Sequence, residues 1–186
     1  VLAEEKDASL WKASGLLWRG CLLTMTGKAS DAIPAITAGL AALRSTGSTM
    51  WMPLLLTYLA RAHSALGQSD EARRCIGEAM TAVETAKERW CESEVNRVAG
   101  EIWLRSPDPD RQKAEDYVRR ALTVARTQQA RSLELRAAMS MARLWRDQGK
   151  PLQARELLAP VYDWFTEGFD TLDLKEAKAL LNSLAS

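Results

Sequence analysis

The chain has 186 residues, with 25 Lys and Arg against 24 Asp and Glu and a formal net charge of +1. That balance excludes a general nucleic-acid binder, which needs a clear basic excess, and equally an acidic disordered tail. The three cysteines have no CxxC spacing, which excludes a disulfide framework and fits a reducing cytoplasm. No apolar run approaches the roughly 18 residues of a membrane span, and no signal-peptide pattern opens the chain. It starts at Val1 rather than Met, and we expect a piece of a longer protein.

Strong helix formers and 3.6-residue periodicity predict an all-α chain of nine helices. The first, over 3–26, carries Trp11, Trp18 and Gly20 and stops at Gly27. The second spans 30–45, with Ser30 as its N-cap and Asp31 at the positive helix end. A turn at Gly47–Thr49 leads to the third, 49–66, which ends before Gly67. The fourth covers 69–87 with Ser69 as N-cap, and the fifth covers 90–105. Ser106–Asp110 reads SPDPD, a loop signal, before the sixth helix at 110–128. The seventh spans 131–148 and stops at Gly149. Pro151 suits the first turn of the eighth, 151–166, because its missing N–H does no harm there. Asp170 or Thr171 caps the ninth, 172–184.

These helices repeat. Ala32, Ala72, Ala114 and Ala154 stand 40, 42 and 40 residues apart. Four residues after each stand Ile36, Ile76, Val118 and Leu158, and seven after stand Gly39, Ala79, Ala121 and Val161. Small residues seven apart share a helix face and admit a neighbouring helix, while the apolar residue between them fills the gap. In the first helices Trp11, Trp51, Cys91 and Leu133 correspond, as do Gly20, Ala60, Gly100 and Ala142. Three residues later come Leu23, His63, Trp103 and Trp145. The pattern predicts four hairpins, over 3–46, 49–87, 90–128 and 131–166, stacked in a right-handed α–α superhelix spanning 1–186 and closed by a capping helix at 172–184.

The small–bulky–Ala–Ala spacing resembles the tetratricopeptide repeat. The period is about 40 rather than the usual 34 or so, and the closing proline of that repeat is missing. Longer second helices account for both. The stretch Gln128–Leu181, with MARLWRDQG at Met141–Gly149 and WFTEGFDT at Trp164–Thr171, resembles the C-terminal end of a bacterial family. Its members are multidomain proteins described as adenylate cyclases or predicted ATPases. They join a cyclase or winged-helix domain and a P-loop module to tetratricopeptide repeats. The resemblance implies a parent that makes cyclic AMP from ATP in a separate domain, within a cytoplasmic signalling protein.

The residues themselves offer little catalytic material. No GxxxxGK[ST] or GxGxxG loop is present to cradle phosphate, so neither a nucleotide nor another cofactor is expected. His63 occupies a packing position, and Cys21, Cys75 and Cys91 read as small buried hydrophobes, which leaves no metal set. The adjacent carboxylates Glu4 and Glu5, Asp70 and Glu71, and Glu115 and Asp116 read as solvated helix faces. Trp11, Trp51, Trp103 and Trp145 are expected in the core, and Trp164 under the last helix.

One binding signal remains. First-helix residues outside the packing stripe line the concave side of such arrays. Here they are Ser14, Leu17, Thr24, Leu54, Thr57, Arg61, Glu94, Arg97, Glu101, Arg105, Arg136, Met139, Arg143 and Arg146. The arginines concentrate in the second half. Arg61, Arg97, Arg105, Arg136, Arg143 and Arg146, with Met139, form the expected binding face. An acidic peptide, a partner protein or another domain of the same chain would occupy it, since the guanidinium fork suits carboxylates. Internal ion pairing on a solvated charged face is the competing reading. The function expected is a non-catalytic interaction or regulatory segment, with neither nucleic acid nor membrane as partner. An effector-sensing domain of an ATPase-linked transcriptional regulator is the alternative.

Overall fold

A computed structural model describes residues 9–185. The expected start of the first helix at residues 3–8 lies outside them, as do Glu4 and Glu5. Nine α-helices follow one another among the described residues: α1 Ser9–Met25, α2 Ala29–Ser45, α3 Met52–Ala65, α4 Ser69–Ala86, α5 Glu92–Arg105, α6 Arg111–Thr127, α7 Arg131–Asp147, α8 Pro151–Asp163 and α9 Leu172–Ser183. A single 3₁₀ turn, Arg89–Cys91, precedes α5.

Helices α1 and α2, α3 and α4, α5 and α6, and α7 and α8 pair as hairpins, and α9 packs on α7 and α8 as a fifth first helix would. Each first helix touches the next first helix, whereas no comparable contact joins α2 to α4, α4 to α6 or α6 to α8 among the described residues. Close first helices and splayed second helices curve the stack, with the first helices on the inner side. The fold is an all-α helical repeat superhelix.

Small residues set the hairpin spacing. Ala32, Ala72, Ala114 and Ala154 are fully buried, as are Ala79 and Ala121, and Ile36, Ile76, Val118 and Leu158 fill the space beside them. A Cβ on Gly20 would stand 2.3 Å from the Ile36 side chain, and one on Gly100 would stand 2.9 Å from the Ala114 carbonyl oxygen. The two glycines therefore bring α1 onto α2 and α5 onto α6 more closely than Ala60 or Ala142 allows.

The turns follow one motif. Gly27, Gly67 and Gly149 take φ of 76°, 73° and 74°. The next N–H in each case donates to the carbonyl five residues back, Lys28 to Leu23, Gln68 to His63 and Lys150 to Trp145. Gln129 makes the same turn with φ 55°, and the Ala130 N–H donates to Ala125. Asp110 caps α6 by accepting from the Lys113 N–H at 2.9 Å.

Several local expectations need correction. Ser30 and Ser69 lie inside α2 and α4, whose N-cap positions Lys28 and Gln68 have no side-chain cap. Thr171 holds the N-cap position of α9, but its hydroxyl donates to the Gly168 carbonyl instead. Trp11 is 70% exposed and Trp164 55% exposed, while Trp51 stands at the surface and Trp103 and Trp145 are only half-buried. The tryptophans sit along the edges of the packing seam. Its centre is filled by Ala, Leu, Val and Cys.

Candidate functional site: the concave groove

The inner faces of α3, α5, α7 and α9, with the 163–171 segment, enclose an open groove of about 1090 Å³. Of the seven expected binding residues, Arg61, Arg97, Arg105, Arg136, Met139 and Arg143 line it, and Arg146 does not. Stacking first helices in register brings five arginines from three helices into one space, as their repeat positions imply.

These arginines do not form the open cationic surface expected of them. Arg97 is only 8% exposed. Its guanidinium donates to both oxygens of Glu94, at 2.8 and 2.7 Å, and to Glu101 at 2.5 Å. It also reaches Ser140 of α7 at 3.3 Å, and the Ser140 hydroxyl donates in turn to Glu101 at 3.2 Å. This cluster ties α5 to α7 across the groove floor. Burial pushes the Glu94 carboxyl up, but the bonds and charge of Arg97, with Arg136 and Arg61 further off, outweigh burial and hold it below its ordinary value. For Arg97, burial favours the neutral form, and Glu94 and Glu101 override it and raise the pKa.

The other arginines are matched too. Arg136 donates to Asp173 at 2.7 Å and Arg143 to Glu176 at 2.8 Å, both carboxylates coming from α9. Arg146 pairs with its neighbour Asp147. Arg97, Arg136, Arg143 and Arg146 are thus each ion-paired within the chain. Six arginines and six carboxylates line the groove, so it has no net charge. Arg61 and Arg105 have no carboxylate partner within ion-pair distance among the described residues. Arg61 instead lies over the Tyr58 ring, 5.6 Å from its centroid. Met139, 3% exposed, serves as floor rather than as a reachable contact.

The first half of the expected inner face is also partly core. Leu17 is 2% exposed and packs on Gly39, and Thr57 is 1% exposed with its hydroxyl on the Pro53 carbonyl. The pairing of α7 with α9 is a further feature the repeat alignment missed. Asp173 and Glu176, three residues apart in a helix read only as a cap, were the available signal.

Other candidates keep structural roles. His63 is half-buried and its Nδ1 lies 2.6 Å from the Gln68 Oε1, inside the α3–α4 turn. All three cysteines are buried, and burial pushes the Cys21 and Cys91 thiols up to about 11. No group of three His, Cys, Asp or Glu with metal-site geometry occurs among the described residues.

No family model matches the chain, and no curated protein matches it. Solved structures do. One is a signal transduction ATPase with numerous domains (STAND) with a tetratricopeptide repeat sensor, from Pyrococcus horikoshii. It superposes with a TM-score of 0.72 over 95% of this chain at 14% identity, and this chain spans 27% of that protein's length. Two others are structures of nearly identical TPR-like repeats from a Podosopora anserina protein described as a kinesin light chain. They give TM-scores of 0.68 and 0.67 at 16% identity, over 93% of this chain and 84% and 85% of theirs. At these identities the likeness establishes the tetratricopeptide-like fold.

Proposed function

We propose that this chain is a non-catalytic interaction segment of a larger signalling protein, and that its concave groove receives a segment of a partner protein or of another domain of the same polypeptide. The observation that carries this is the groove itself. It is about 1090 Å³, continuous across three hairpins and the terminal helix, with a floor fixed by the Arg97 cluster. A floor already ordered by internal bonds lets a partner bind without first immobilising it. Carboxylates of the partner meet Arg61 and Arg105, which make no direct ion pair among the described residues. This is a narrower contact than the broad acidic match implied by the sequence.

The STAND structure supports a multidomain context, since its repeats belong to a longer ATPase-linked chain. The resemblance of Gln128–Leu181 to adenylate-cyclase and predicted-ATPase proteins supports a bacterial, cytoplasmic parent whose chemistry lies in another domain. Effector sensing by an ATPase-linked regulator is the second reading, and the same neighbour favours it.

The test uses a displayed peptide library selected on the 186-residue chain, followed by titration of the best peptide. Arg61→Glu with Arg105→Glu should weaken binding by roughly 10-fold or more, as expected when charge-assisted hydrogen bonds worth about 1.5–3 kcal/mol each are lost. Arg155→Glu on α8 should leave it unchanged. Equal affinity for all three proteins would refute the groove assignment.

A further inference from the structure

The zero net charge of the groove hides a separation of sign. Arg61, Arg105 and Arg111 line its α3–α5 edge, and none of them pairs with a carboxylate among the described residues. Asp110, in the loop between the last two, caps α6, and Asp108 does not line the groove. The Tyr58 hydroxyl, on the same face of α3 as Arg61, donates to the Met25 sulfur at 3.7 Å, a weak acceptor that a carboxylate would replace. At the opposite edge the 163–171 segment carries Asp163, Glu167 and Asp170, which meet no cation at ion-pair distance among the described residues. Glu167 lines the groove itself. The other carboxylates of the groove are matched: Glu94 and Glu101 by Arg97, Asp147 by Arg146, and Asp173 and Glu176 by Arg136 and Arg143. Unmatched charge is therefore positive at one edge and negative at the other.

Beside Glu167 the wall is apolar and braced. Phe165 and Leu172 line it, and Leu172 is 70% exposed. Phe165 meets Trp164 edge-on with ring centroids 5.2 Å apart, and the Arg131 guanidinium covers the Trp164 ring at 5.2 Å. The Thr171 N–H and hydroxyl both donate to the Gly168 carbonyl, at 2.9 and 2.7 Å. An apolar side chain can dock on such a wall without first ordering it. Length decides the form of the occupant. Stacked helices lie about 8–10 Å apart and rise about 1.5 Å per residue, which puts Arg61 and Arg105 on the order of 30 Å from Glu167. An extended chain covers that distance in about nine residues. A helix of the same length, about 10 Å across, would occupy on the order of 2,400 Å³, more than twice the groove's 1090 Å³.

We propose that the occupant is an extended polypeptide segment of opposite charge polarity, an inference that rests on the reading of the groove as a partner-binding surface. Its acidic end meets Arg61, Arg105 and Arg111, an apolar side chain lies on Phe165 and Leu172, and a Lys or Arg beside that side chain faces Glu167. The test selects displayed peptides of about 12 residues on the 186-residue chain, long enough to span both edges. Selected sequences should carry Asp or Glu about nine residues from a Lys or Arg, with an apolar residue beside the base. Titration of the best peptide then separates the two readings. Glu167→Lys should weaken it by roughly 10-fold, the loss expected for one charge-assisted hydrogen bond. Changing the peptide's base to Glu should restore affinity for that variant and lower it for wild type. Leu172→Asp should also weaken binding, and both positions are exposed, so helix content should not change. A peptide weakened by Arg61→Glu with Arg105→Glu but indifferent to Glu167→Lys and Leu172→Asp would overturn this proposal and leave the groove reading standing. Selected sequences without the charge separation, or a charge swap that restores nothing, would overturn it as well. A peptide indifferent to every one of these changes would sink both readings.

Discussion

Replacing Arg97 with Met tests the reasoning about the groove floor. The side chain is of similar length, so little packing is lost, but Glu94 is left buried without its cation. Breaking a buried pair by removing one partner costs about 3–5 kcal/mol. Glu101 is less buried, with its side chain 27% exposed, and can turn toward groove water, which places the expected loss near 3 kcal/mol. With an unfolding slope of roughly 2 kcal/mol/M, the urea midpoint should fall by about 1.5 M. Adding Glu94→Gln should recover much of that loss, because the buried charge is then gone. The pH dependence gives a sign. In wild type the Glu94 carboxyl is held below its unfolded value, so its contribution is present above that value and lost as pH falls through the folded one. Without Arg97, burial raises the carboxyl instead, and the variant gains stability relative to wild type on acidification. Stabilities within about 0.5 kcal/mol of each other at pH 7, or a gap that widens in acid, would refute the argument.

Three further outcomes follow from packing. Gly15→Ala should stabilise by about 0.5–1 kcal/mol through helix propensity, whereas Gly100→Ala gains the same but overpacks α6 by about 1–3 kcal/mol. Thermal unfolding that ranks the two equally would contradict the register. The thiols of Cys21 and Cys91, up to about 11, should label slowly in the native protein at neutral pH and fast in urea. Their folded values lie above the ordinary thiol value of 9.0, so the stabilisation they give is full below pH 9 and declines toward 11. Fast native labelling would show those helices to be open. Deleting residues 171–186 removes Leu174, Ala177 and Leu180 from the core and leaves Arg136 and Arg143 without Asp173 and Glu176. That chain should aggregate on size exclusion, and a soluble form with unchanged Tm would contradict the capping role.

Helix positions were legible because each rests on local chemistry. The Ala32-type and Ile36-type positions recur at fixed spacing, and Gly27, Gly67 and Gly149 mark turns that favour positive φ. Gln129 makes the same turn without the glycine signal, so only the surrounding periodicity located it. Ser30 and Ser69 misled because both helices begin earlier, at Ala29 and directly after Gln68, and their first N–H groups meet no capping side chain. Trp11 and Trp164 misled because repeat equivalence fixes a position along a helix, while burial depends on what lies beside it. Trp11 belongs to the first hairpin, with no earlier one over it among the described residues.

The arginine face shows the same division. Repeat register placed Arg61, Arg97, Arg105, Arg136 and Arg143 in one groove. Their ion pairing was out of reach because two of the partners, Asp173 and Glu176, come from α9, more than 30 residues away in sequence. The Glu94–Arg97–Glu101 spacing was itself a local signal, since i,i+3 and i,i+4 pairs meet on a helix.

Amide hydrogen exchange of the 186-residue chain with and without a library-selected peptide tests the central claim most directly. The account predicts that added protection falls on α3, α5 and α7, and that Arg61→Glu with Arg105→Glu abolishes it. Protection confined to the outer helices α2, α4, α6 and α8, or unchanged by that double reversal, would contradict it.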